Sequence, residues 1–375
     1  MKKTLLIESL DLLGQGVAKT QTGSSKKPHI SFTPKTLPGE TIEVSVVKER
    51  KNISHTKLES VIEASALREE PNCPHFHECP SCHYLHTSYY NELNIKQAAL
   101  SREISFLYQK KSLQTPAIKV TPSPTREHYR NRVQLHYRHK YLGYIHAQTD
   151  QVLEVPQCQV IRPELQADID KLYQKEWTQE HTGKGHVELY WKNGETQIHW
   201  NQPYAAGGFS QVNEAVNEVM CDSINQQLEQ AAPNTLLDFF SGKGNLSNDY
   251  QVRSQCKRLM ADISPYRHSD YLQINLYDDD AMERYIRRFG KEDIDTLLID
   301  PPRSGFPKLA DWLAKLKPKH LIYVSCNPRS LAQDIQSIET RGSKFTVKHV
   351  ELFDMFPGTY HFESLVSIQF KKHAK

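Results

Sequence analysis

The C-terminal half of the chain carries the plainest pattern. From about residue 205 onward, short runs of consecutive apolar residues alternate with stretches of helical spacing. That alternation is the signature of a doubly wound parallel sheet. The runs Thr235–Phe240, Arg258–Asp262, Thr296–Ile299 and Leu321–Val324 are mostly apolar, as strands buried on both faces require. Three of them run into turn chemistry: Ser241-Gly242-Lys243-Gly244-Asn245, Asp300-Pro301-Pro302-Arg303-Ser304-Gly305 and Ser325-Cys326-Asn327-Pro328. Proline cannot extend a ladder, so an acid (Asp300) and a thiol (Cys326) are expected at neighbouring strand ends. In open α/β sheets that edge is where ligands bind.

The N-terminal pattern is different. Over residues 1–65, Leu5–Leu10, Thr41–Val47 and Leu58–Ile62 read as strands, separated by turns at Gly14-Gln15-Gly16, Gly23-Ser24-Ser25 and Pro38-Gly39-Glu40. A small β-barrel is expected, with Lys48, Arg50, Lys51 and Lys57 on or near its edge, where they suit a phosphate backbone. Residues 66–204 form a second, β-rich domain, with strands at Val133–Tyr137 and Tyr141–Ile145 and a hairpin turning at Asn193-Gly194. A helix is predicted over 86–112, ending in Lys110-Lys111, and could pack on the third domain, 205–375. Tyr129-Arg130-Asn131-Arg132 pairs an aromatic ring with two guanidinium groups, a set able to hold phosphates and stack an unpaired base. A solvated strand end is the alternative.

Composition narrows this picture only a little. With 375 residues the chain is long for one domain. A net charge of +3 confines any nucleic-acid surface to a local patch. Glu8 and Asp11 interrupt the opening apolar run, and no stretch approaches the ~18 apolar residues of a membrane span. A cytoplasmic protein without a membrane partner, and a monomer, is expected. Seven cysteines, unevenly spaced, argue against a disulfide framework.

Cys73, Cys79 and Cys82 fall within ten residues, interleaved with prolines, and Cys158 lies far downstream in Val155-Pro156-Gln157-Cys158. Clustered thiols outside an oxidising compartment point to metal. The spacing does not choose between zinc and an iron–sulfur cluster, and His75, His77 and His83 leave a mixed zinc site open. In the C-terminal half, the glycine turn at 241–245 lets backbone approach a ligand closely. Asp262, some twenty residues on, can accept hydrogen bonds from both hydroxyls of a ribose. An adenosine-containing ligand fits, and Asp300-Pro301-Pro302 favours S-adenosylmethionine over a dinucleotide.

These motifs, with Phe209-Ser210-Gln211-Val212-Asn213 before them and Asp354-Met355-Phe356-Pro357 through His361-Phe362-Glu363 after them, stand in the order seen in the RNA (uracil-5-)-methyltransferases, which the chain resembles. The segment 1–65 resembles the TRAM domain, an OB-like barrel that binds RNA, and the cysteine spacing resembles the family's 4Fe–4S site. The resemblance extends end to end and is nearest to the members acting on 23S ribosomal RNA. It implies a Rossmann-like S-adenosylmethionine-dependent methyltransferase domain preceded by the barrel and the central domain. It further implies Cys326 as nucleophile and Glu363 as general base, and cofactor contacts from Gln211, Phe240, Asn245, Asp262, Asn275 and Asp300. Cys73, Cys79, Cys82 and Cys158 would hold the cluster, with zinc as the alternative metal. The substrate would be a specific uridine, unpaired or flipped out of the stack; transfer RNA, or RNA binding without catalysis, are the alternatives. Four departures stand out: Ser241 where a cysteine is usual, Asp262 for the longer Glu, the polar stretch Ser247-Asn248-Asp249-Tyr250, and Gly358 after Pro357. The middle two bear on cofactor affinity.

Overall fold

The computed structural model describes residues 2–371 except 22–26, 110–114, 147–148, 206–207 and 209. The expected turn at Gly23–Ser25, the basic pair Lys110-Lys111 and Phe209 lie outside the described residues. The chain divides into two compact units: 1–96, 124–214 and 356–361 form the first, and 97–123, 215–355 and 362–375 the second.

The first unit opens with β1 (Lys2–Leu6), β2 (Ser9–Leu10), β3 (Gln15–Thr20), β4 (His29–Pro34), β5 (Thr41–Arg50) and β6 (Ile53–Glu63). They form one sheet in the order β1-β5-β6-β4-β3-β2, all neighbours antiparallel except β4 and β6. Leu5, Ile7, Ala18, Ile42 and Val44 make its apolar core. Two of its strands escaped the sequence reading. Gly14, at φ +71°, makes the expected turn, but Gln15 and Gly16 already belong to β3. A Cβ on Gly16 would collide with Thr36 Oγ1, so only glycine fits there. In β4 the buried positions are His29, Ser31 and Thr33, whose polarity hides the alternation. His29 and Thr33 are satisfied across the sheet by Ser54 (2.5 Å) and Thr56 (2.7 Å).

Helices α1 (Tyr89–Glu103) and α2 (Ser105–Gln109) follow, with a break at Ile104, then the short strand β7 (Lys119–Thr121). The boundary between the units falls inside α1, and Leu100, Ile104 and Leu107 lie in the core of the second unit. The central region of the first unit holds β8 (Arg132–Arg138), β9 (Tyr141–Ile145), β10 (Val152–Leu153), α3 (Pro163–Tyr173), β11 (Lys184–Lys192) and β12 (Glu195–Trp200). Its sheet has the order β10-β9-β8-β11-β12. The β11–β12 hairpin turns at Asn193 (φ 53°) and Gly194 (φ 83°), the left-handed pair a two-residue loop needs. The N-terminal sheet and the central region fall in one compact unit. Lys35, from the loop after β4, donates to the carbonyls of Phe76, His77 and Cys79, and Arg68 pairs with Glu40.

The second unit continues with α4 (Glu214–Ala231), β13 (Thr235–Phe239), α5 (Asn248–Ser254), β14 (Lys257–Asp262), β15 (Tyr271–Gln273), α6 (Ala281–Phe289), β16 (Thr296–Ile299), α7 (Leu309–Leu316), β17 (His320–Ser325), α8 (Pro328–Thr340), β18 (Phe345–Phe353) and β19 (Glu363–Phe370). The sheet order is β15-β14-β13-β16-β17-β19-β18-β7. β13 to β17 run parallel, and β19 is antiparallel to both β17 and β18. All residues of β13 and β16 are buried, as their unbroken apolar runs require.

Candidate active site

The carboxyl edge of the parallel strands gathers the chemistry. Ser325, the last residue of β17, is the register partner of Ser364 on antiparallel β19. Cys326 follows Ser325 and Glu363 precedes Ser364, so the two flank the last pair of that register, and the Glu363 charge acts on the thiol. Ser364 Oγ donates to the Ser325 carbonyl (3.0 Å) and locks the register there. Pro328 and the Asn327 side chain, which accepts from Arg329 N–H (3.1 Å), start α8 immediately after the cysteine. Asp300 follows β16, with its N–H bonded to the Phe239 carbonyl (3.3 Å).

The electrostatics of this edge are lopsided. Burial, then the Asp300 charge, raises Glu363 well above the ordinary carboxylate range, and its Oε2 is buried without a hydrogen-bond partner. Burial pushes the Cys326 thiol up to about 12, and Glu363 and Asp300 add to this. Arg303 opposes the rise by charge and by a hydrogen bond to the thiol, but does not overcome it. Burial, together with Asp238 and Asp262, raises Asp300 to about 7, and burial raises Asp238 to about 7 as well. A cluster of buried acids beside a thiol is poised for a cationic ligand, whose charge would relieve every one of these shifts.

The glycine turn forms the second part of the edge. Phe240 adopts φ 58°, unusual for a bulky residue, and its ring packs edge-on against Phe306 at 5.1 Å. Asp262 Oδ2 accepts from Gly242 N–H (3.0 Å) and Oδ1 from Ser264 N–H (2.7 Å), which fixes the turn against β14. Asn245 exchanges a hydrogen bond with Asn217 of α4 (2.9 Å). Asn275 caps its own turn through Tyr277 N–H and Asp278. Gln211 belongs to the first unit, where its carbonyl accepts from Asn131 Nδ2 (3.1 Å). The polar stretch after Asn245 is satisfied rather than disruptive. Ser247 donates to Asp238 (2.6 Å) and accepts from Arg258 (3.1 Å), and Asp249 accepts from Asn225 (2.8 Å). Asp238 and Arg303 were not singled out from sequence. Both stand inside quoted motifs, but their partners are distant in the chain.

In the first unit Cys73, Cys79, Cys82 and Cys158 line one cavity with Phe76 and Val155, and all four are free thiols. Burial raises Cys82 far above an ordinary thiol, and the charges of the other three raise it further. Among the described residues no three His, Cys, Asp or Glu side chains are close enough together to hold a single metal ion. Tyr129-Arg130-Asn131-Arg132 is a correction to the expected RNA grip. Arg132 is buried and paired with Glu188 (2.8 Å), Asn131 is bonded to Glu214 (2.9 Å), and the Tyr129 hydroxyl donates to Pro357 (3.1 Å). The segment is an internal brace, because β8 lies inside its sheet.

Among the described residues, no helix is long and apolar enough to cross a membrane. Residues 281–371 match the family model described as tRNA (Uracil-5-)-methyltransferase. The 23S rRNA (uracil(1939)-C(5))-methyltransferase RlmD of Shewanella frigidimarina is 28% identical, over 97% of this chain and 95% of that protein. The enzyme of the same name from a Marinomonas species is 26% identical, over 99% and 95%. The crystal structure of Pyrococcus abyssi tRNA (uracil-54, C5)-methyltransferase with S-adenosyl-L-homocysteine superposes with a TM-score of 0.65, covering 98% of this chain and 100% of that one at 18% identity. That last likeness establishes the S-adenosylmethionine-dependent methyltransferase fold. The chain is thus a relative of the RNA (uracil-5-)-methyltransferases, matched by their family model in its last strands and by curated 23S rRNA enzymes along nearly its whole length.

Proposed function

We propose that the protein transfers a methyl group from S-adenosylmethionine to carbon 5 of a uridine in RNA, with 23S ribosomal RNA as the substrate. The observation that carries the reading is that Cys326 and Glu363 flank the Ser325–Ser364 pair closing the β17–β19 register, where Glu363 and Asp300 both act on the thiol. Carbon 5 of uracil is too weak a nucleophile to take a methyl group unaided. Addition of the Cys326 thiolate to carbon 6 leaves an enolate with electron density on carbon 5. Carbon 5 then attacks the methyl carbon, and the electron pair of the breaking bond stays on the sulfur of the cofactor. Glu363 takes the carbon-5 proton, the pair left behind restores the ring double bond, and Cys326 departs as the thiolate it entered as. S-adenosylmethionine is cationic, so its binding among Asp238, Asp300 and Glu363 favours the ionised forms this sequence needs.

Phe240, Asn245, Asp262, Asn275 and Asp300 would hold the cofactor along the carboxyl edge; Gln211, the sixth contact the resemblance implies, belongs to the first unit. The Asp262 oxygens each retain a lone pair for a ribose hydroxyl after bonding the turn. The four thiols would hold a 4Fe–4S cluster. Their common cavity and freedom from disulfides fit such a group, and it supplies a covalent staple between distant segments when bound. Zinc, the alternative metal, would need at least three of these side chains drawn around one ion, which the described residues do not show. The six-stranded N-terminal sheet, residues 1–65, is read as a TRAM-like RNA-binding barrel. Its exposed Lys48, Arg50, Lys51 and Lys57 suit a phosphate backbone. Residues 66–204 and 205–375 are read as the central and methyltransferase domains of a cytoplasmic monomer.

Ribosomal RNA is preferred to transfer RNA because the 23S rRNA enzymes are 26–28% identical along the chain, against 18% for the tRNA enzyme. Mapping 5-methyluridine in total RNA from a deletion strain decides it. Loss of one position in 23S rRNA, restored by the gene, is expected; loss confined to transfer RNA would contradict the substrate assignment.

A further inference from the structure

The turn before Glu363 is held by a buried ionic network that no step of the reaction uses. Glu92 and Lys96, both on α1, are fully buried and paired at 2.6 Å, and Arg126 closes on Glu92 at 2.7 Å. The network points at one stretch of backbone. Glu92 Oε1 accepts from Gly358 N–H (2.7 Å), Lys96 Nζ donates to the Phe356 carbonyl (3.2 Å), and the Tyr129 hydroxyl donates to the Pro357 carbonyl (3.1 Å). From the other side, the Gly358 carbonyl accepts from the N–H groups of His83 (2.7 Å) and Tyr84 (3.0 Å). Those two residues directly follow Cys82. Arg126 also ties the Tyr84 carbonyl (2.6 Å) into the network, and the His83 ring packs edge-on against Tyr360 at 4.7 Å.

Gly358 itself fits this seat closely. It adopts φ +79°, and a Cβ there would lie 3.0 Å from Leu85 and 3.8 Å from the Cys82 sulfur. The Pro357 carbonyl and both backbone groups of Gly358 find partners here, and the Phe356 carbonyl, which also accepts from Thr359, gains Lys96. A buried ion pair contributes little net stability against an apolar substitute, so its value lies in specifying one arrangement. Here the arrangement specified is that of the segment ending two residues before Glu363.

We propose that Glu92, Lys96 and Arg126, together with the end of the cysteine loop at Cys82–Tyr84, are positioning residues that hold segment 356–361 and thereby keep the general base in register with Cys326. The inference rests on the roles proposed for Cys326 and Glu363. It gives the four-thiol site a task in the reaction without electron transfer. A group held by Cys82 would fix the chain one residue before the first amide that grips Gly358.

The test is hydrogen exchange of the full-length holoprotein combined with trapping on 5-fluorouridine RNA, in which fluorine replaces the proton the base removes. In Glu92→Gln the amides of 356–361 are expected to exchange at least ~10-fold faster, with those of Leu321–Ser325 unchanged. Adduct formation with 5-fluorouridine RNA should stay within about threefold of wild type, since addition and methyl transfer need no base. Turnover on uridine RNA should fall at least ~10-fold in kcat, with KM for both substrates within about twofold. Gly358→Ala leaves the ionic network intact and should show the same split, so a poorly folding Glu92 variant does not decide the matter. Stripping the metal from wild type should likewise loosen 356–361 before 321–325. Unchanged exchange at 356–361 overturns the proposal, as does equal loosening of both segments or a loss of adduct in proportion to turnover. If wild type itself forms no adduct, the nucleophile assignment fails, while the exchange data still judge the seat.

Discussion

At the scale of single residues, the active-site edge is built against its own ionisation. An acid whose folded pKa is raised stabilises the fold below its unfolded value and loses that contribution as pH rises through the folded one. Asp238 and Asp300, both near 7 through burial, therefore weaken the ligand-free protein between about pH 4 and pH 7. Replacing Asp300 by Asn removes one such charge. Asp300→Asn is expected to raise the ligand-free melting temperature at about pH 8 by ~2–4 °C while weakening S-adenosylmethionine binding at least ~10-fold. Melting curves and calorimetric titration check both halves; a variant that loses stability at pH 8, or binds the cofactor normally, would contradict the reading. Asp300 and Cys326 were legible as residues because each ends an apolar run in turn chemistry. Arg303 was not, because its bond to the Cys326 thiol depends on where two separate loops meet.

At the scale of elements, the buried parallel strands were the most legible, and the polar interior the least. Thr296–Ile299 matches β16 residue for residue, since its three consecutive apolar residues after Thr296 fit a strand buried on both faces. Strand β4 and helix α3 passed unseen, the first because its core positions are His, Ser and Thr. The polar start of α5 looked like a fault in the sequence, yet Ser247 and Arg258 satisfy Asp238 through it. Glu351 on β18 shows the same principle at its strongest. It is fully buried, and accepts from Thr121, Ser223, Lys119 (2.8 Å) and His349 (2.7 Å), which hold its carboxyl down at about 2 despite burial. Its stabilisation is present above the ordinary carboxylate pKa and is lost as pH falls through about 2. Glu351→Ala is expected to cost ~3–5 kcal/mol at neutral pH, because four donors lose one acceptor. In denaturant melts the gap from wild type should narrow as pH falls below about 4; a gap independent of pH would show that packing, not charge, sets the cost.

At the scale of the whole molecule, the two compact units share the chain in a discontinuous way, and sequence order alone did not show it. Segment 356–361 leaves the second unit, joins the first, and returns just before β19. The sequence placed this motif with the catalytic half because its neighbours on both sides belong there. The cysteines carry the same lesson, since Cys158 follows Cys82 only after four strands and joins it at one cavity. Anaerobically purified protein is expected to be brown and to contain iron bound through those thiols, and to lose the colour on Cys79→Ser; stoichiometric zinc without iron would contradict the cluster. The central claim, that Cys326 opens the reaction and Glu363 closes it, is tested by the fate of the protein–RNA bond. With S-adenosylmethionine and ordinary uridine RNA, Glu363→Gln should add and methylate but retain the carbon-5 proton, leaving a covalent species that survives denaturation, at quenched early times if water slowly substitutes for the base. Cys326→Ala should bind both substrates and form no such species. A Cys326→Ala protein that methylates uridine at a near-normal rate would contradict the mechanism outright.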